Sequence, residues 1–197
     1  MKKIYLKIWQ LAKPHYQKGR PYDIPHIEWM MEQSKRIADI EDLDLKLLMP
    51  ISILHDVGYS KVDQENPDPK SKESKKIHMD EGAKIARDIL EKVAYEPELA
   101  KKIVRYISIH DNWIFGDDTP YQECKEMAVF NDLDFIYAVS SWKVVSMQAM
   151  AMGKNPKDMY DFWLNDEKHT RRPFCCRATK ELFEEYMVKL KEKGKQN

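Results

Sequence analysis

Residues 48–58 read Leu-Met-Pro-Ile-Ser-Ile-Leu-His-Asp-Val-Gly. Apolar residues dominate up to Leu54, and then an imidazole and a carboxylate follow side by side at His55 and Asp56. The pattern predicts a buried helix whose last turn carries that pair, with Gly58 as a left-handed stop. Two polar groups at the mouth of a buried helix cost free energy unless something binds them. The reading of the chain therefore turns on whether other segments supply partners for a metal.

Working outward, the apolar spacing predicts helices and almost nothing else. Upstream, Ile4, Ile8 and Leu11 mark a short helix over 3–12 that should end before Pro14. Residues 13–25, with Pro14, Gly19, Pro21 and Pro25, read as a loop. A helix starting near His26 has Ile27, Met30, Met31, Ser34, Ile37 and Ala38 on its inner face. Asp42 or Asp44 can cap the helix that ends at His55, and Pro50 within it predicts a kink or a late start. Downstream, residues 61–76 lack any apolar period and read as a long exposed loop. Helices then follow over about 77–93 and from Pro97 to His110, with a loop over 111–121. Residues 124–152 read as strongly apolar helix, 155–173 as mixed, and about 176–192 as a last helix. No period-two strand, internal repeat or linker stands out. The expectation is one all-α helical bundle in a single domain, residues 1–197.

Composition narrows the function classes. Lys plus Arg and Asp plus Glu both number 33, so no basic field draws the chain to nucleic acid or anionic lipid. No run of about 18 apolar residues exists, so no membrane span is expected. Lys7 and Gln10 interrupt what would otherwise resemble a leader at the start. Cys124, Cys175 and Cys176 are odd in number and lack zinc spacing, which fits a reducing, cytoplasmic setting.

Four of the six histidines fall at predicted helix ends. His26 and His78 open helices, and His55 and His110 close them; His15 and His169 fall in loops. In an antiparallel bundle, starts and ends alternate between two poles, so these four can meet at one. Asp132 and Asp134 lie on an otherwise apolar helix beside Phe130, Phe135 and Ile136, poor surroundings for bare carboxylates. Any one of these residues alone reads more simply as structural. Together, neutral imidazoles and carboxylates suit a first-row divalent ion.

The ordered set resembles the HD-domain superfamily of metal-dependent phosphohydrolases. The family pattern is a His, a His-Asp pair and a distant Asp, matched by His26, His55 with Asp56, and Asp132. Ile-Leu-His-Asp-Val-Gly matches its signature, and Asn-Asp-Leu-Asp is similar to its Ala-Asp-x-Leu-Asp, which favours Asp132 over Asp134. Segments like those carrying further family histidines hold His78 and His110. Family members often place Lys after the Gly; this chain has Tyr59, with Lys61 two residues on. The Gly-Tyr-Pro extension of the cyclic-dinucleotide phosphodiesterases is absent.

The resemblance implies a helical bundle in which His26, His55, Asp56 and Asp132 hold a divalent metal ion (Mn, Fe, Co, Ni, Zn or Mg). His78 and His110 would support a second ion or contact phosphate. It implies hydrolysis of a phosphate ester or anhydride in a small phosphorylated metabolite, a nucleotide being one candidate. Asp56 and Lys143 are candidate catalytic residues, and Lys61, Arg105, Arg171 and Arg172 candidate substrate-binding cations. A metal- or nucleotide-binding sensor without turnover is the alternative on the same scaffold.

Overall fold

The computed structural model describes residues 2–62 and 71–194. Residues 63–70, the middle of the expected 61–76 loop, lie outside them. Two compact units make up the chain, residues 1–127 and 128–197. All regular structure among the described residues is helical, as the spacing of apolar residues predicts, and the fold is all-α.

The first unit holds α1 (Lys3–Gly19), α2 (Ile24–Glu41), α3 (Leu45–Leu54), α4 (Lys72–Lys92) and α5 (Pro97–Ile107). Its core is built from α3, where every residue from Leu47 to Leu54 is buried. Asp44 caps α3 by accepting from the Lys46 N–H at 2.8 Å, whereas Asp42 ends α2 in the left-handed region. Pro50 deprives the Lys46 carbonyl of its helical donor, and the Tyr95 hydroxyl donates to that carbonyl at 2.7 Å instead. The freed carbonyl thus becomes a tertiary contact and α3 keeps its length. Ser34 and Ser52 meet at 2.8 Å in the buried seam between α2 and α3.

Several boundaries differ from the sequence expectation. α1 runs through Pro14 to Gly19 rather than stopping at residue 12. A proline inside a helix costs roughly 3 kcal/mol. The buried face of Tyr5, Ile8, Trp9, Ala12 and Tyr16 continues across it, and the Tyr16 hydroxyl donates to the Ile53 carbonyl at 2.8 Å. Burying those side chains offsets the proline. His15 therefore sits in a helix, not a loop. α4 begins at Lys72, capped by Ser71, so His78 lies well inside it rather than at its start. His169 falls in a short helix of the second unit.

Gly58 is not a left-handed stop, since positive φ among the glycines occurs only at Gly116 and Gly153. Its role is close approach. After α3 the chain turns through a 3-10 segment, Val57–Lys61, that packs on both α1 and α4. A Cβ at Gly58 would lie 1.9 Å from the His78 carbonyl oxygen and 2.5 Å from the Gly82 nitrogen. A Cβ at Gly19 would lie 2.5 Å from the Ser60 nitrogen. Both obstacles are backbone, so neither can swing aside. Gly58→Ala is expected to destabilise the first unit by about 3 kcal/mol or more, at the upper end for overpacking. That corresponds to a melting temperature roughly 6–12 °C lower for a chain of this size, read by calorimetry.

The second unit continues α6 (Lys125–Tyr137), which crosses the boundary, and adds α7 (Trp142–Ala151), α8 (Met159–Leu164), α9 (Lys168–Arg171) and α10 (Arg177–Gly194). The strongly apolar helical stretch expected over 124–152 is helical, as two helices separated at residues 138–141, where Ser141 caps α7. No described helix is long and apolar enough to cross a membrane.

Candidate metal centre

The end of α3, the interior of α4 and the turn after α5 bring three imidazoles around Asp56. The side chains of His55, His78 and His110 are at most 1% exposed. His78 Nε2 and His110 Nε2 each lie 3.5 Å from Asp56 Oδ1 and 3.1 Å from one another. His55 Nε2 lies 3.6 Å from the other oxygen, Oδ2. The His26 ring, from α2, meets the His55 ring edge-on with centroids 5.3 Å apart. Asp56 therefore stands between two imidazole groups, one facing each oxygen.

Backbone carbonyls set the tautomers. His55 Nδ1 lies 3.1 Å from the Ser52 carbonyl, His78 Nδ1 3.3 Å from that of Ser74, and His110 Nδ1 2.8 Å from that of Ile107. A carbonyl only accepts, so each Nδ1 carries the proton and a neutral ring presents a bare Nε2 to the centre. Two such nitrogens 3.1 Å apart repel unless a cation or a proton lies between them. Ligands about 2.1 Å from a transition metal stand about 3.0–3.5 Å from each other. The separations among His78, His110 and Asp56 fall in that range, so these residues fit a divalent ion.

The electrostatics agree. Burial pushes the Asp56 carboxyl up, but the imidazoles of His55, His110 and His78 and the Arg20 charge outweigh it, holding the group well below the usual carboxylate range. Burial lowers the His78 imidazole. Burial also works to lower His110, yet Asp111 and Asp56 together raise it. A proton shared by this pair therefore resides on His110.

Four residues that sequence reasoning did not single out line the same centre. Asp111 Oδ2 lies 3.4 Å from His78 Nε2 and accepts from Lys75 Nζ at 2.5 Å. Tyr59 stacks on the His78 ring at 4.2 Å, nearly parallel. The Arg20 guanidinium lies over the Tyr59 ring at 4.1 Å, with an NH1 group 4.0 Å from Asp56 Oδ2. The available signals were faint: a second His-Asp dipeptide at 110–111, and Lys75 one helical turn before His78.

The remaining sequence candidates have other surroundings. Asp132 belongs to the second unit, where Oδ1 accepts from Lys168 Nζ at 2.5 Å. Its Oδ2 accepts from the Thr179 hydroxyl at 2.6 Å and the Cys175 N–H at 2.9 Å. Lys61 and Lys143 are exposed. Arg105 is paired with Glu123, and Arg171 lies 3.6 Å from Glu167. Arg172 is half-buried, with its carbonyl accepting from Lys168.

Among protein families, the HD domain matches residues 24–127, just over half of the chain and wholly within the first unit. Searches of the curated proteins and of solved structures each found no match.

Proposed function

This chain belongs to the HD domain family, a family made up mostly of metal-dependent phosphohydrolases, and we propose that it hydrolyses a phosphate ester or anhydride of a small phosphorylated metabolite. Nucleotides are one candidate substrate class. The observation that carries the reading is the facing pair of His78 and His110 nitrogens on Asp56 Oδ1, each ring tied off at Nδ1.

His26, His55 and Asp56 would hold one divalent ion. Asp56, His78 and His110 would hold a second ion or meet the phosphate. The imidazole-rich donor set favours a first-row transition ion over magnesium. A bound ion of this kind acidifies water to a hydroxide nucleophile and polarises a phosphoryl oxygen. The chain's own contribution is to hold the imidazoles in the binding tautomer, with Asp56 ionised between them. Metal analysis combined with a panel of phosphomonoesters, phosphodiesters and nucleotides tests the reading. Hydrolysis should vanish on chelation and return with added metal. Full activity of the metal-free protein would overturn it.

Metal occupancy and turnover should fall together below about pH 6, because imidazole binds metal only when neutral. Asp56 stays ionised through that window, so the protons that compete go to the rings. His110, raised by Asp111 and Asp56 against its burial, protonates first, and His78, lowered by burial, resists. A pH–rate profile and metal content across the same range check this. A profile flat down to pH 5 would count against it.

A further inference from the structure

We infer that Arg20 and Lys75 form a clamp for the free end of a phosphomonoester, an inference that rests on the phosphohydrolase reading and names the substrate class within it. Arg20 follows directly after α1, and Lys75 lies in the second turn of α4. Gly19 and Gly58 let the backbone of the 57–61 turn touch both helices, and the Tyr59 ring lies between them. His78 stacks on that ring at 4.2 Å and the Arg20 guanidinium covers it at 4.1 Å, so the two take opposite faces. Lys75 Nζ approaches the same ring at 5.7 Å. The two cations are 24% and 17% exposed, whereas the histidines beneath them are closed to solvent. They are the centre's partly exposed cations.

Their donors are only partly used. Asp23 Oδ1 accepts a hydrogen bond from Arg20 NH2 at 3.2 Å, and Oδ2 lies in ion-pair contact 2.9 Å from Nε. That fork fixes the guanidinium and leaves NH1, beside Asp56, without a hydrogen bond among the described residues. Asp111 takes one of the three Lys75 donors, and no described residue accepts another. Stacking on an aromatic ring holds a guanidinium flat without consuming its N–H groups. Arg20 is thus positioned and still able to donate, the state that charge-assisted recognition of an oxyanion requires.

Charge points the same way. The carboxylates of Asp23, Asp56 and Asp111 exceed the two cations by one charge, so a single divalent ion turns the centre positive and suits it to an anion. Two separate donors plus an ion engage three oxygens. A phosphomonoester has three non-bridging oxygens and a diester has two. The clamp therefore fits a terminal phosphate group.

The test uses the full chain loaded with manganese and inorganic phosphate as probe, followed by calorimetry. Arg20→Gln and Lys75→Gln should each weaken phosphate binding about 10- to 100-fold, the effect expected for a charge-assisted hydrogen bond. Metal content should stay unchanged. KM for phenyl phosphate should rise more than kcat falls, and dimethyl phosphate should bind at least about ten-fold more weakly than phosphate. Lys101→Gln, in an exposed pair with Glu98, should change nothing. Should Arg20→Gln fail to fold, Arg20→Lys keeps the charge, loses the fork, and is expected to weaken phosphate binding with metal retained. Unchanged phosphate affinity in these variants, loss of metal together with phosphate, or tighter binding of dimethyl phosphate would each overturn the clamp. A wild-type protein that hydrolyses phosphoesters while the variants keep its KM refutes the clamp alone. One that binds metal yet neither hydrolyses esters nor binds phosphate refutes the function itself.

Discussion

Replacing His55 and Asp56 together by alanine should abolish metal binding and lower phosphoester turnover by about a thousand-fold or more, with the helices intact. Loss of a residue that merely orients a ligand costs roughly 10–100-fold in affinity or activity, so loss of two direct donors costs more. Asp56 lies within 3.6 Å of three Nε2 atoms, closer to the whole set than Asp111, whose Oδ2 reaches only His78 and His110. The fold does not depend on the pair in the same way. α3 ends at Leu54, and its stability comes from the buried run Leu47–Leu54. Truncation removes the His55 Nδ1 bond to the Ser52 carbonyl, but the backbone N–H that reaches the Ile51 carbonyl at 3.0 Å is kept. Asp56→Asn, which keeps the shape, should lose metal nearly as completely, because it removes the charge opposite His78 and His110. Elemental analysis, calorimetric titration with manganese and far-ultraviolet circular dichroism distinguish the outcomes. A double variant that keeps stoichiometric metal would exclude these residues as ligands.

The helices and the histidine centre were legible because both rest on local pattern. Apolar spacing marks each buried face, and a His-Asp pair at the end of so apolar a helix as α3 is conspicuous. His26, His55, His78 and His110, noticed one by one in the sequence, lie around or beside Asp56. His78 reaches the centre from within α4 rather than from its start. Helix ends were misjudged where tertiary contact overrides a local rule. Pro14 would stop an isolated helix, but Tyr16 and Gly19 beyond it are held by Ile53 and the 59–60 backbone. That error hid Arg20, whose position depends on α1 reaching residue 19. Tyr59, Lys75 and Asp111 were hidden for a related reason. They come together only through the close backbone approach at Gly58, and a glycine on its own does not say whether it serves a turn or a contact.

The second large effect lies in the second unit. Lys168→Met should destabilise the protein by about 3–5 kcal/mol, the cost of removing one partner from a buried ion pair. For a chain of this size that lowers the melting temperature by roughly 6–20 °C. Lys168 is 2% exposed, and its ammonium donates to Asp132 Oδ1 and to the Arg172 carbonyl, both at 2.5 Å. It also lies 4.8 Å from the centre of the Phe174 ring. Methionine would fill the space and keep the ring contact but take the ammonium from the Asp132 carboxylate, which keeps the Thr179 hydroxyl and the Cys175 N–H as donors. Asp132→Asn strands the ammonium instead and should cost a similar amount. The double variant removes both charges, so it should recover much of the loss, because the dominant penalty is the orphaned ion rather than the missing bond. A surface pair provides the contrast. Lys189 and Glu185 lie one helical turn apart on α10, and their separation should change stability by no more than about 0.5 kcal/mol. Calorimetry of the four proteins gives the coupling energy directly. Single variants that melt with the wild type, or a double variant no better than either single, would mean that Lys168 and Asp132 are solvated and independent. Strong coupling would mean that α6, α9 and the start of α10 are locked by one charge pair, with Asp132 held in a fixed orientation by three donors.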